Sequence, residues 1–186
     1  MQSRIVPVSR EVEARLVPTG TPTTIPEGTF VTLTQTLGGA YTVVFEGNMA
    51  RVEGEDGDAL GLDPVALEFE PPADGKPSMA QVEEALASVY DPEIPVNIVE
   101  LGLIYHCEIV AGDGPGSRTQ GREDAVHIDL TLTAPGCGMG PVLVEDVKRR
   151  VAQVPFVSDV VVRLVFDPPW SRDMMTEEAQ LALGIF

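Results

Sequence analysis

Cysteine, histidine and aromatic residues are all scarce in this 186-residue chain, which holds two cysteines, two histidines and 5% aromatics. Cys107 and Cys137 form no Cys-x-x-Cys pair, and neither histidine stands at metal-finger spacing, which argues against a structural zinc site. A disulfide between them is not expected in a reducing compartment, so each thiol is judged by its surroundings. Positive charge is also in short supply: 12 basic residues against 29 acidic ones leave a net charge of -17. That balance repels phosphate backbones and anionic headgroups, so nucleic acid is not an expected partner. No run approaches the roughly 18 apolar residues of a membrane span. The opening MQSRIVPVSREVEARLVPTG lacks the apolar core of a signal peptide, so a cytoplasmic protein without membrane contact is expected. What the chain does have is 44% apolar residues, enough for a packed core.

Three prolines and a glycine within Pro71–Pro77 bar regular structure and mark a linker. The expected division is a small β-rich module over 1–72, a Pro/Gly linker over 73–77 and a second domain over 78–186. In the module, Phe30–Thr36 and Tyr41–Phe45 are rich in β-branched and aromatic residues and alternate as strands do. Turns fall at Pro26–Gly28, Gly38–Gly39 and Glu46–Asn48.

After the linker the period changes. Ser78–Gln81 fits a capping box, and Val82, Leu86 and Val89 follow at helical spacing until Asp91–Pro92 ends the run. Leu103–Val110 and Val126–Thr133 alternate as two hairpin-paired strands, with the Gly-rich Ala111–Asp124 stretch expected on the surface between them. Pro141 suits the first position of a second helix, whose stripe is Leu143, Val147 and Val151. Glu145 and Asp146 near its start and Lys148–Arg150 near its end complement the helix dipole. Val160–Phe166 is a third strand, and Thr176 caps a short last helix closed by Gly184. The fold class is α+β. An α-β-β-α-β-α order packs helices on one face of a small mixed sheet as a two-layer sandwich.

Cys137 sits where a strand runs out and a helix begins, among Gly136, Gly138 and Gly140. Glycines let the backbone approach a ligand, and free N–H groups at a helix start favour a thiolate. The plainer reading is a small buried cysteine in a glycine turn. Cys107 shares its strand face with Leu103, Tyr105 and Ile109 and is expected to be inert core. Asp91, Glu93, Asn97 and Glu100 occupy a loop stiffened by two prolines; a bound cation would reconcile these carboxylates with a nearby thiolate. Alternatively Asp91 merely ends the helix and Glu93 is solvated. His106 and His127 fall on polar strand phases, Met174–Met175 fill gaps, and Trp170 anchors the C-terminal segment on its domain.

The segments Asp91–Tyr105, Thr131–Cys137 and Trp170–Gly184 resemble the signatures of SufT-type iron-sulfur cluster assembly proteins, over nearly all of 78–186. Pro26–Thr29 and Gln35–Val43 resemble an N-terminal β extension found in that group. The resemblance implies an accessory, non-enzymatic role in iron-sulfur protein maturation. Such a protein carries a labile iron-sulfur cluster or iron, or links assembly proteins to recipient apoproteins. It also implies Cys137, Asp91 and Glu93 as the functional residues. The expected arrangement is Cys137 as a transient iron or cluster ligand with Asp91 and Glu93 nearby as candidate cofactor-binding residues, and Thr131, Thr133, Gly136, Gly138, Asn97 and Trp170 in support. A stable cluster usually takes four thiolates, so any cluster here is labile or shared in a homo-oligomer. Three other readings remain open: a metal-free adaptor, a phenylacetate-pathway subunit of the same domain family, and an enzyme with Cys137 as nucleophile. No histidine beside Cys137 in sequence serves the last.

Overall fold

The computed structural model describes residues 3–91, 94–111, 124–134, 136 and 138–185. The chain divides into two compact units, one running to Leu67 with the stretch at 94–95, the other comprising Glu68–Asp91 and the chain from Val96.

The first unit holds six strands: β1 (Arg4–Pro7), β2 (Val12–Val17), β3 (Pro22–Ile25), β4 (Phe30–Gln35), β5 (Ala40–Phe45) and β6 (Asn48–Glu53). They form one antiparallel sheet in the order β1-β4-β5-β6-β2-β3. Alternate residues, among them Val12, Ile25, Val31, Leu33, Val43 and Val52, meet in a single core. Glu46 and Gly47, both at positive φ, join β5 to β6 in a two-residue turn whose twist matches the strands it connects. A 3-10 helix over Gly54–Leu60 adds Ala59 and Leu60 to the core. Gly57 lies where a Cβ would collide with the Tyr41 hydroxyl, which donates to the Asp63 carbonyl at 2.8 Å. The Arg10 guanidinium grips Asp58 and Asp56 on this helix at 2.7 to 2.8 Å and holds the Asp58 carboxyl below the usual range.

The second unit runs α1 (Met79–Ala87), β7 (Ile104–Val110), β8 (Asp124–Leu130), α2 (Gly140–Val151), β9 (Val157–Leu164) and α3 (Glu177–Ala182), the expected α-β-β-α-β-α order. β8 is central, antiparallel to β7 and parallel to β9. The parallel pair needs a crossover, which α2 supplies. Val126, Ile128 and Leu130 on β8, Val82 and Leu86 on α1, and Leu143, Val147 and Val151 on α2 are all buried. Burying a side chain of this size contributes about 1.5 to 3 kcal/mol. No helix among the described residues is long and apolar enough to cross a membrane.

Several local expectations change. Ser78 sits at the start of α1 but makes no side-chain cap bond, and the Gln81 side-chain amide donates to the Glu70 carbonyl at 2.8 Å. The helix stops at Ala87, before Asp91–Pro92, since Tyr90 turns extended to pair with Asn97. Pro141 is second rather than first in α2. The first turn of α2 holds no acidic residue, so Glu145 and Asp146 lie beyond the short range of the helix-end charge. β8 begins at Asp124, which the sequence placed in the preceding stretch, while 112–123 of that stretch lie outside the described residues. β9 starts at Val157, three residues earlier than expected, because pairing with β8 carries Ser158 and Asp159 into the strand.

Candidate functional site

Around Asp91 the chain folds back on itself. Asp91 N–H donates to the Val96 carbonyl at 3.2 Å and Ile98 N–H to the Val89 carbonyl at 2.9 Å. Asp91 itself is buried and partnered. Asn97 is buried too, and its Oδ1 accepts from the backbone N–H groups of Val99 and Glu100 at 3.0 and 2.9 Å. Asparagine at the head of a turn takes up N–H groups that would otherwise lack partners. The Asn97 carboxamide oxygen is thus committed to shaping the 97–101 turn.

Thr131 follows β8, and its N–H donates to the Leu103 carbonyl at 2.8 Å, tying the end of that strand to the same turn. Its side chain is 1% exposed and its hydroxyl has no hydrogen-bond partner among the described residues. An unpaired buried hydroxyl costs about 1 to 3 kcal/mol. Thr131→Val, measured by urea denaturation, is therefore expected to raise the stability of this unit by about 1 kcal/mol; a loss of stability would show that the hydroxyl has a partner after all. Beyond it, Thr133 is half-buried, and Gly136 and Gly138 are exposed. Gly136 has φ of 79° with nothing near its missing Cβ, so conformation requires the glycine there. Gly140 differs: it is buried, and a Cβ would lie 3.1 Å from Leu132 Cδ1. A side chain there would press on the leucine end, a tight packing contact.

The C-terminal segment crosses the same turn. Trp170 Nε1 donates to the Leu101 carbonyl at 2.8 Å, the Tyr105 hydroxyl to the Pro168 carbonyl at 2.8 Å, and Thr176 N–H to the Glu100 carbonyl at 2.9 Å. Gly102, at φ of 70°, has the Met174 carbonyl where its Cβ would be. Thr176 caps α3 through its hydroxyl, and Met175 and Ala179 are buried beneath the segment. The expected anchoring role of Trp170 is what the indole does. Gly102 and Tyr105 carry no such signal in the sequence, because their partners lie 63 to 72 residues away in the chain.

The turn at 97–103 thus joins the Asp91 loop, the Thr131 strand exit and the Trp170 segment. Glu93 and Cys137 lie outside the described residues. Cys107 is half-buried rather than sealed in the core, because β7 is an edge strand. Burial first, then the Glu83 and Glu108 carboxylates, push its thiol pKa up. No group of three or more His, Cys, Asp or Glu side chains among the described residues is arranged to hold a metal ion. In the first unit a cavity of about 490 Å³ opens between Arg4, Leu33, Gln35, Tyr41, Leu62 and Val65; among the described residues Arg4 is its one charged lining residue.

The model of the iron-sulfur cluster assembly protein family matches residues 79–164. Over 99 residues the chain is 43% identical to a Fe-S protein maturation auxiliary factor of Porphyromonas gingivalis, covering 53% of this chain and 84% of that one. It is 40% identical over 97 residues to the Fe-S protein maturation auxiliary factor SufT of Staphylococcus aureus, covering 52% of this chain and 98% of that one. This chain belongs to the SufT-type iron-sulfur cluster assembly protein family. A crystal structure of a domain of unknown function from Bacillus anthracis is similar over 57% of this chain and 92% of that one, at 35% identity and a TM-score of 0.47. The stretch matched by the family model runs from α1 to the end of β9 and contains Asp91, Asn97, Thr131, Thr133, Gly136 and Gly138. Trp170 and the six strands of the first unit lie outside it.

Proposed function

We propose that this protein is an accessory factor in iron-sulfur protein maturation, which takes up a labile cluster or iron through Cys137 and passes it to recipient apoproteins. The observation that carries this reading is the 40 to 43% identity to proteins named Fe-S protein maturation auxiliary factor, across 84 to 98% of their lengths. Thiol chemistry supports the choice of Cys137. A thiol binds iron as thiolate. The chain has two cysteines, and the raised pKa of Cys107 disfavours the thiolate there. One thiolate is too few to retain a cluster, which usually takes four. Asp91 and Glu93, a second subunit or an added thiol would have to complete the set. Such incomplete ligation holds cargo weakly enough to release it, and release is what a factor serving apoproteins requires.

Anaerobic reconstitution with ferrous iron and sulfide tests this. Wild-type protein and Cys107→Ala are expected to take up iron and sulfide and to activate an apo-[4Fe–4S] enzyme. Cys137→Ala is expected to lose both properties by at least about tenfold, as ligand removal does. Equal uptake by Cys137→Ala would take this thiol out of the mechanism. Undiminished apoenzyme activation by a metal-free Cys137→Ala protein would favour the adaptor reading instead.

A further inference from the structure

We propose that the free edge of β9 is the docking site for a second copy of this chain, paired antiparallel about Val161. Among the described residues, β9 lies at one side of its sheet and is hydrogen-bonded to β8 alone. It is eight residues long, Val-Ser-Asp-Val-Val-Val-Arg-Leu, and rich in the β-branched residues that favour strand pairing. Val161, Leu164 and the following Phe166 are 42, 36 and 44% exposed. An exposed edge of this length and composition is a template for another strand.

Backbone direction sets which residues would pair. Val165 N–H donates inward to the Leu130 carbonyl at 2.9 Å. Successive residues point their backbone groups to opposite sides. Val160, Val162 and Leu164 therefore direct N–H and C=O to the free edge. In agreement, Val160 N–H is taken by its neighbour's carboxylate, Asp159 Oδ1, at 2.8 Å, not by β8. With the two-fold axis at Val161, Val160 of one copy exchanges both backbone bonds with Val162 of the other. Val161 then meets its own equivalent as a non-hydrogen-bonded pair, the arrangement that brings side chains closest.

Charge selects the second copy as the occupant. Asp159 and Arg163 stand two residues either side of Val161, so the same register sets Asp159 of each copy opposite Arg163 of the other. Charges placed only to guard an edge need no such symmetry, and a like-signed pair here would repel a second copy. Arg163 has donors to spare. Its Nε and one terminal nitrogen hold Asp129 at 2.9 and 2.8 Å, which leaves N–H groups of its five-donor fork for a second carboxylate. In docking, Asp159 exchanges the Val160 N–H for that guanidinium, and Val162 of the second copy takes its place at the N–H. Two-fold pairing of one patch with itself is the commonest route to a dimer. An eight-residue edge falls at the small end of specific interfaces, so association is reversible and roughly micromolar. The dimer stands or falls independently of the maturation role.

Sedimentation velocity on the full chain over a concentration series tests it. Wild-type protein is expected to shift from monomer to dimer. Asp159→Arg sets Arg against Arg163, and Arg163→Asp sets Asp against Asp159, so each variant alone is expected to associate at least about tenfold more weakly. An equimolar mixture of the two restores opposite charges at both positions and is expected to recover the dimer. That recovery also shows that both variants are folded. Wild-type protein that stays monomeric throughout, variants that associate as well as wild type, or a mixture that stays monomeric would each overturn the proposal.

Discussion

Gly102→Ala is expected to destabilise the second unit by about 3 kcal/mol and to loosen the C-terminal segment. Two costs add. At φ of 70° an L-residue enters the left-handed region, at roughly 1 to 2 kcal/mol. The new Cβ also meets the backbone carbonyl of Met174, which cannot swing away as a side chain would, and overpacking of this kind costs typically about 1 to 3 kcal/mol. Relief requires the segment bearing Met174 to lift from the 97–103 turn. Trp170 is the chain's single tryptophan, so its fluorescence reports that movement directly. The expected result is a lower denaturation midpoint with a red-shifted native emission. Stability within about 0.5 kcal/mol of wild type and an unshifted spectrum would show that the segment does not rest on Gly102.

Trp170→Ala should cost about 2 to 3 kcal/mol, from the area of a half-buried indole together with the hydrogen bond to the Leu101 carbonyl. The figure falls below the roughly 3 to 5 kcal/mol of a fully buried aromatic because part of the ring already faces solvent. Trp170→Phe separates the two contributions. It keeps most of the ring and loses only the N–H donor, for about 1 kcal/mol. Combined with Gly102→Ala, the Trp170→Ala loss should be smaller than the sum of the two single losses, since a segment already lifted has less left to lose. Urea denaturation of the single and double variants measures the coupling. Strict additivity would mean that the indole and Gly102 hold separate parts of the chain.

Both predictions concern contacts that the linear sequence does not display. Trp170 could be read as an anchor because a large aromatic after two prolines needs a surface to cover, yet its acceptor, the Leu101 carbonyl, lies 69 residues away. Gly102 lies in an ordinary Leu-Gly-Leu, and only the Met174 carbonyl beside it shows why a side chain is excluded. Asn97 could be placed in an acidic, proline-stiffened loop, but not its partners: its carboxamide oxygen serves two backbone N–H groups. Gly140 could be read as part of a glycine loop, but not that the Leu132 side chain would crowd a Cβ there, at 3.1 Å. In the first unit, β4 and β5 were legible from β-branched runs. β1, β2, β3 and β6 were not, because Arg, Glu, Asn and Pro interrupt their alternation.

The sequence alone determined the order of helices and strands in the second unit, the turn positions between β4, β5 and β6, the scarcity of thiols and the family. Each of these is carried by spacing, composition or motif over a few neighbouring residues, where chain connectivity already sets the geometry. Only the tertiary structure decided that Cys107 is half-buried beside Glu83, that the Thr131 hydroxyl is unpaired among the described residues, that the 97–103 turn carries the C-terminal segment, and that β9 lies at an edge of the described sheet. Those properties depend on which distant residues become neighbours. Periodicity fixes which side of a strand faces inward, but not what stands against it.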